Sequence, residues 1–335
     1  MLILVVAAGG GAWWVWRSGF RLAEPTYIYV DADDTVDSIA QKLESRAQPE
    51  CMRVFHLYAG LLNLKDKIRT GRYQVTPTLT MLNFIRDVRN HNEVPINLVV
   101  PSVRTMPQMA GRLAAQLMVD SASVADYLAD ESNIKALGYT KESLPGLFIP
   151  NTYEVYWDVS IPKLMERMKQ ENARFWNSER IAKLTEVSQY AAEEMTQEKV
   201  ITLASIVDSE TANNGEKPII AALYMNRLRK NMALQSDPTV IYAVGDFTIR
   251  RVLLEHLQVE SPYNTYRNVG LPPGPIRVPS IAGIDAVLNH DHNDYIYMCA
   301  KEDFSGTHNY AVSYAEHQRN AARYIRALNA KGIRR

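Results

Sequence analysis

Apolar and polar residues follow two rhythms along this chain. Alternation suits Tyr27 to Val30, which reads as a strand, and helical spacing follows at Val36, Ile39, Ala40 and Leu43 behind a capping Asp34 or Thr35. A second helix is predicted around Arg53 to Leu64, a strand with a turn in "GRYQVTP" (Gly71 to Pro77), and a third helix in "TMLNFIRDVRN". "INLVVPSVRTMPQMAGRLAAQL" repeats the strand-then-helix order, and Ser123 to Leu137 reads as one helix. "LPGLFIPNTYEVYWD" reads as an aromatic loop punctuated by prolines, and Ile161 to Phe175 as a long amphipathic helix. Further on, Ile220, Leu223, Tyr224 and Leu228 form one apolar stripe, "YIYMCA" reads as a strand, and Ser313 to Leu328 as a closing helix.

Two segments break these rhythms. The first is "MLILVVAAGGGAWWVW", Met1 to Trp16, which carries no charge and ends in Trp13, Trp14 and Trp16. It is close to the roughly 20 residues that cross a bilayer, with aromatics where an interfacial belt would lie. A single-pass anchor with the rest of the chain outside the cytoplasm is expected. The nearby cations, Arg17 and Arg21, follow the segment, whereas the positive-inside rule places them before it. The second segment is "ASIVDSETANNGEKP", Ala204 to Pro218. Val200, Ile201, Leu203, Ala204, Ile206 and Val207 are apolar on several faces, as in a helix surrounded by protein. Asn213 to Gly215 then read as a stop and Pro218 as the first turn of the next helix.

That buried helix delivers two carboxylates at its end, Asp208 and Glu210. Residues two apart on a helix point about 200° apart, so the two cannot act as a pair. Glu210 shares a face with Ile206, Val207 and Asn214, and Asp208 shares one with Ala204, Ser205 and Thr211. A carboxyl against apolar neighbours loses hydration, holds its proton to higher pH and can serve as a general acid.

Composition narrows the field. The 335 residues suffice for two domains, and equal numbers of acidic and basic residues without a Lys/Arg-rich block argue against nucleic acid as a partner. Cys51 and Cys299 match no metal spacing, and free thiols and a bridge fit them equally. "NHDHND" (Asn289 to Asp294) could place two imidazoles, His290 and His292, on an ion with Asp294, but a polar turn before a strand explains it more simply. No metal and no cofactor are expected. "LQSDPTVIY" and "SPYNTY" offer amides, carboxylates and aromatics of the kind that hold sugars, and "GLPPGPI" supplies rigid turns.

Taken in order, "ASIVDSET", "NRL", "MALQSDPTVIY", "SPYNTY" and "GLPPGPI", with "YIYMCA" and "GTHNY" more loosely, resemble the endolytic murein transglycosylase family (MltG, or YceG-like). The resemblance implies an α+β protein: a transmembrane anchor over residues 1–20, a small LysM-like module over 26–95, and a larger mixed α+β catalytic domain over 96–335. It maps the catalytic acid onto Glu210 and points to Gln235, Asp237, Tyr263 and Asn264 as substrate-binding, with Asp208, Asn226 and Arg227 supporting. Asp208 stands where the family usually has Glu, which marks the first acid as a supporting group. Asn151 replaces a frequent Asp, and Tyr310 a common Phe. The implied reaction cleaves the β-1,4 bond from N-acetylmuramic acid to N-acetylglucosamine in peptidoglycan, leaves 1,6-anhydro ends and terminates growing strands. Implied partners are glycan strands and membrane-bound peptidoglycan synthases (penicillin-binding proteins). Two other readings fit the same residues: a muramidase-type hydrolase using Asp237 as second carboxylate, and a non-catalytic wall-binding scaffold.

Overall fold

The computed structural model describes residues 19–332. The Met1–Trp16 segment expected to anchor the chain lies outside these residues. Among the described residues no helix is long and apolar enough to cross a membrane.

The chain forms two compact units, and neither is a continuous stretch. The first takes the described residues through Val99, then Leu113–Asp120 and Thr152–Ser160; the second takes Val100–Arg112, Ser121–Asn151 and the residues from Ile161 onward.

In the first unit, β1 (Thr26–Val30) pairs antiparallel with β2 (Gly71–Val75), Ile28 opposite Tyr73 and Val30 opposite Gly71. Between them run α1 (Val36–Glu44) and α2 (Pro49–Leu61), and α3 (Met81–Asn90) follows. Thr35 starts α1 with a reciprocal capping box: its hydroxyl accepts from the Ser38 amide, and the Ser38 hydroxyl accepts from the Thr35 amide. Alternation on the strands and helical spacing on α1 and α3 bring Ile28, Val30, Ile39, Leu43, Phe84 and Val88 into one core. β3 (Ile96–Val100) pairs with β4 (Asn151–Val155). β4 corrects the expectation of a loop there. Its prolines stop short of Asn151, and Tyr153 and Val155 turn inward at every second position.

In the second unit, α4 (Met106–Ala114) opens the run, and the helix expected over Ser123 to Leu137 is two, α5 (Ser121–Ala129) and α6 (Glu131–Leu137). The break falls at Asp130, whose carboxylate accepts from the Asn133 amide and starts α6. α7 (Ile161–Phe175) and α8 (Ser178–Ala191) lead to α9 (Gln197–Glu210), where every residue from Val200 to Val207 is buried. α10 (Lys217–Arg229), with Pro218 in its first turn, and α12 (Ile281–Leu288) pack against α9, while α11 (Asp237–Val244) starts beyond a loop from α10. A hairpin, β5 (Tyr297–Ala300) with β6 (His308–Ala311), and α13 (Tyr314–Ala330) close the unit. Cys299 on β5 is a free thiol.

Candidate active site

α9 ends because Thr211 leaves helical geometry for an extended conformation, φ −144°, ψ 140°. Its hydroxyl accepts from the Asn213 amide, and the Asn213 side chain accepts from the Gly215 amide, so the chain turns sharply into α10. The two carboxylates at this end go to different places.

Asp208 is enclosed. Its Oδ1 lies 2.8 Å from Lys217 Nζ and accepts from the Ser280 hydroxyl at 3.0 Å, while its Oδ2 accepts from the Ser280 amide. Both charged side chains are nearly buried, at 5% exposure for Asp208 and 8% for Lys217. A Cβ added at Gly283 would meet Asp208 Oδ1 at 2.5 Å, so glycine there makes room for the carboxylate. Asp208 thereby ties α9 to the starts of α10 and α12.

Glu210 faces a cavity of about 310 Å³. The residue as a whole is half-buried. Oε1 accepts from the Tyr224 hydroxyl at 2.6 Å and from the Ser236 hydroxyl at 2.5 Å. Burial pushes the Glu210 carboxyl above its ordinary range. The Ser236 and Tyr224 hydrogen bonds and His308 work against that rise, and the Asp237 charge adds to it. The net effect is a carboxyl that holds its proton to higher pH than a solvated glutamate does.

Of the other sequence candidates, Gln235, Asp237 and Arg227 line the same cavity. Arg227 is buried and orients its neighbours: Nη2 donates to Gln235 Oε1 at 2.6 Å, Nε to the Ala233 carbonyl and Nη1 to the Ile296 carbonyl. Gln235 takes the left-handed region, φ 52°, which turns the backbone from α10 toward α11. Asp237 Oδ1 accepts from the Tyr266 hydroxyl at 2.6 Å.

Asn226, Tyr263 and Asn264 lie elsewhere. Asn226 is fully buried, its amide nitrogen donating to the carbonyls of Asn293 and Tyr295, which pins the turn before β5. Asn264 is fully buried too, donating to the carbonyls of Leu257 and Val259 and accepting from the Tyr266 amide. That bonding leaves no free donor for a sugar. Tyr263 lines a separate cavity beside Tyr242, their ring centroids 4.8 Å apart.

Four residues around the carboxyl are not singled out as site residues by the sequence pattern. Tyr224 and Ser236 hold the carboxyl; Tyr266 and His308 line its cavity. Behind His308 sits Glu216, at the start of α10, accepting from the His308 amide at 2.8 Å and from the Tyr310 hydroxyl at 2.9 Å. Burial works to raise the Glu216 carboxyl, but these donors, with His308 and Thr211, hold it below its ordinary range. A charged Glu216 thus fastens β6 to the start of α10. His290, from the "NHDHND" run, is buried, its Nδ1 on the Val287 carbonyl and its ring against Tyr190.

This geometry can supply a proton from Glu210 into a polar cavity and take one back. Comparison with known proteins gives the arrangement a family. The YceG-like family model matches residues 28–323. A Bacillus subtilis protein named endolytic murein transglycosylase is 35% identical over 321 residues, covering 91% of this chain and 86% of its own. A Streptococcus pneumoniae protein of the same name is 26% identical over 89% of this chain, which spans 58% of that longer relative. The crystal structure of a yceG-like protein from Listeria monocytogenes superposes with a TM-score of 0.57 at 27% identity, over 88% of this chain and 99% of that one. A match through both compact units, joined to a relative of such identity and coverage, establishes that the chain belongs to the YceG-like family.

Proposed function

We propose that this protein is an endolytic lytic transglycosylase of peptidoglycan, with Glu210 as both its acid and its base. The observation that carries the reading is one carboxyl, biased by burial toward its protonated form and bonded by Tyr224 and Ser236 beside a polar cavity. The names of the relatives from B. subtilis and S. pneumoniae supply the reaction class.

Glu210 first donates its proton to the bridging oxygen as the bond from C1 of N-acetylmuramic acid breaks. The N-acetylglucosamine fragment leaves with a new hydroxyl. The resulting carboxylate then accepts the proton of the 6-hydroxyl of the same muramic acid, whose oxygen closes on C1. The 1,6-anhydro ring forms, Glu210 is protonated again, and no water is consumed. One carboxyl at each stage is enough. In this reading Gln235 and Asp237 position sugar hydroxyls, which their fixed orientation by Arg227 and Tyr266 supports.

Asp237 in the same cavity supports a second reading, a hydrolase in which it activates water. Digestion of purified glycan strands in ¹⁸O-water separates the two. The lyase leaves an unlabelled anhydro end, and a labelled reducing end would install the hydrolase instead. Internal cuts in long strands are expected, and exclusive release of terminal disaccharides would remove the endolytic part.

Such a substrate lies outside the cytoplasmic membrane, and the uncharged Met1–Trp16 segment is suited to hold the chain there, near peptidoglycan synthases. Protease added to intact spheroplasts should then digest the chain beyond Arg21; its protection would overturn this topology.

A further inference from the structure

The first unit holds a cluster that the transglycosylase chemistry does not use. α3 ends at His91, whose left-handed conformation, φ 60°, is stabilised by its amide donating to the Asp87 carbonyl. Two residues later Glu93 folds inward over Gly71, with its side chain only 3% exposed. A Cβ at position 71 would meet Glu93 Oε2 at 2.6 Å, and Gly71 has φ 138°, so only glycine suits this place. Asp158, from the segment after β4, meets them with its side chain 13% exposed. His91 Nε2 lies 3.0 Å from Glu93 Oε1 and 3.4 Å from Asp158 Oδ2. One ligand atom from each residue falls within 4.8 Å of the other two.

An ion pair alone accounts poorly for this arrangement. A single Nε2–H points in one direction and serves one carboxylate well, so the second acid needs either a proton shared with its neighbour or a cation. A cation in the space between serves all three. Zinc bonds of about 2.0–2.2 Å to nitrogen and oxygen put neighbouring tetrahedral ligands about 3.3–3.5 Å apart, which the His91–Asp158 spacing of 3.4 Å matches and the His91–Glu93 spacing of 3.0 Å reaches by a small outward shift of the exposed imidazole. The Thr70 hydroxyl donates to Asp158 Oδ2, the oxygen that faces His91, and the Arg72 amide donates to Glu93 Oε2 at 3.4 Å, so each carboxylate is oriented by a donor. His91, with its side chain 47% exposed, leaves a way in from solvent.

We propose that His91, Glu93 and Asp158 bind a divalent transition-metal ion of the zinc type, one imidazole nitrogen and two carboxylate oxygens holding it with a position left for water. The ligand set favours such an ion over magnesium and calcium, which take oxygen donors almost exclusively. The ion joins the turn after α3 to the segment after β4, 65 residues further along, and neutralises the two acids there. Its role is structural, since Glu210 belongs to the other unit.

The test uses the full chain in detergent, stripped with chelator and titrated with Zn²⁺, Mn²⁺, Mg²⁺ or Ca²⁺ by calorimetry and native mass spectrometry. One equivalent of Zn²⁺ should bind at micromolar Kd or tighter and raise the melting temperature. His91→Asn keeps a residue that accepts the left-handed cap, and Asp158→Asn keeps the shape. Each should weaken that binding at least tenfold and abolish the thermal shift, while its melting temperature in chelator stays at or above wild type. Equal Zn²⁺ uptake by wild type and both variants would assign the binding to other histidines and overturn the proposal. Ca²⁺ or Mg²⁺ binding that His91→Asn leaves unchanged would overturn it too.

Discussion

Asp208 and Glu210, two positions apart on one helix, are held by separate sets of partners. Lys217 and Ser280 enclose the first, and Tyr224 and Ser236 hold the second at the cavity floor. The roughly 200° between their directions on the helix becomes a division of work: one carboxylate joins three helices and the other faces the cavity.

Removing the acid should end catalysis and spare the fold. Glu210→Gln keeps size and still accepts from Tyr224, but it neither donates nor accepts the catalytic proton. Activity should fall about 10⁴-fold or more, since one residue serves both steps. Release of anhydro ends from purified strands measures it, and a variant within tenfold of wild type would remove Glu210 from the mechanism.

The same substitution should change how stability depends on pH. A carboxyl whose pKa is raised by folding binds more protons in the native than in the unfolded state. Native stability therefore falls as pH rises from the ordinary glutamate value, about 4.3, to the raised native value, and stays lowered above it. Glu210→Gln is free of that loss. Its melting temperature should match or exceed wild type at neutral pH, and the advantage should shrink at pH 4. Equal pH dependence of the two proteins would contradict the buried, protonated acid.

Tyr224 should tune the acid. Its hydroxyl stabilises the carboxylate, so Tyr224→Phe should raise the Glu210 pKa further. A hydrogen bond to a charged group contributes about 1.5–3 kcal/mol, equivalent to about 1–2 pH units. The alkaline fall in kcat/KM, where Glu210 loses its proton, should move up by that amount. An unmoved profile would mean that the 2.6 Å contact does not govern the acid.

The buried ion pair carries the opposite signature. Lys217→Met strands the Asp208 carboxylate among Ser280 and Gly283 and should destabilise the fold by about 3–5 kcal/mol. Chemical denaturation reads this directly, and at temperatures where the variant remains folded it should retain substantial activity. A stable but inactive Lys217→Met would place the pair in the chemistry instead.

Periodicity made much of this legible and stopped where partners depend on packing. α9 was readable because apolar residues on every face leave only a buried helix as an explanation. Glu210 stood out through its position at the end of that helix together with the family motifs. Tyr224 was legible only as one member of an apolar stripe; its hydroxyl finds Glu210 because α10 packs against α9, which spacing within α10 does not encode. Tyr263 and Tyr266 look alike in "SPYNTY", yet the turn built by Asn264 sends Tyr266 to the Glu210 cavity and Tyr263 to another. Asp130 ended a helix early because its carboxylate satisfies the next helix's amide better than continued helix would. His91, Glu93 and Asp158 meet across 65 residues, a distance at which no motif spacing applies.

Glu210 is the last residue of a 14-residue helix, and the helix itself bears on its proton. The aligned peptide dipoles place partial negative charge, about half an elementary charge, at the C-terminal end. A carboxylate formed there is repelled by the backbone that carries it, before any side chain contributes. Backbone polarity cannot be mutated away as a neighbouring side chain can, so a bias toward the protonated form persists through substitutions in the surrounding cavity. An acid at the opposite end of the same helix would meet the reverse field and give up its proton readily.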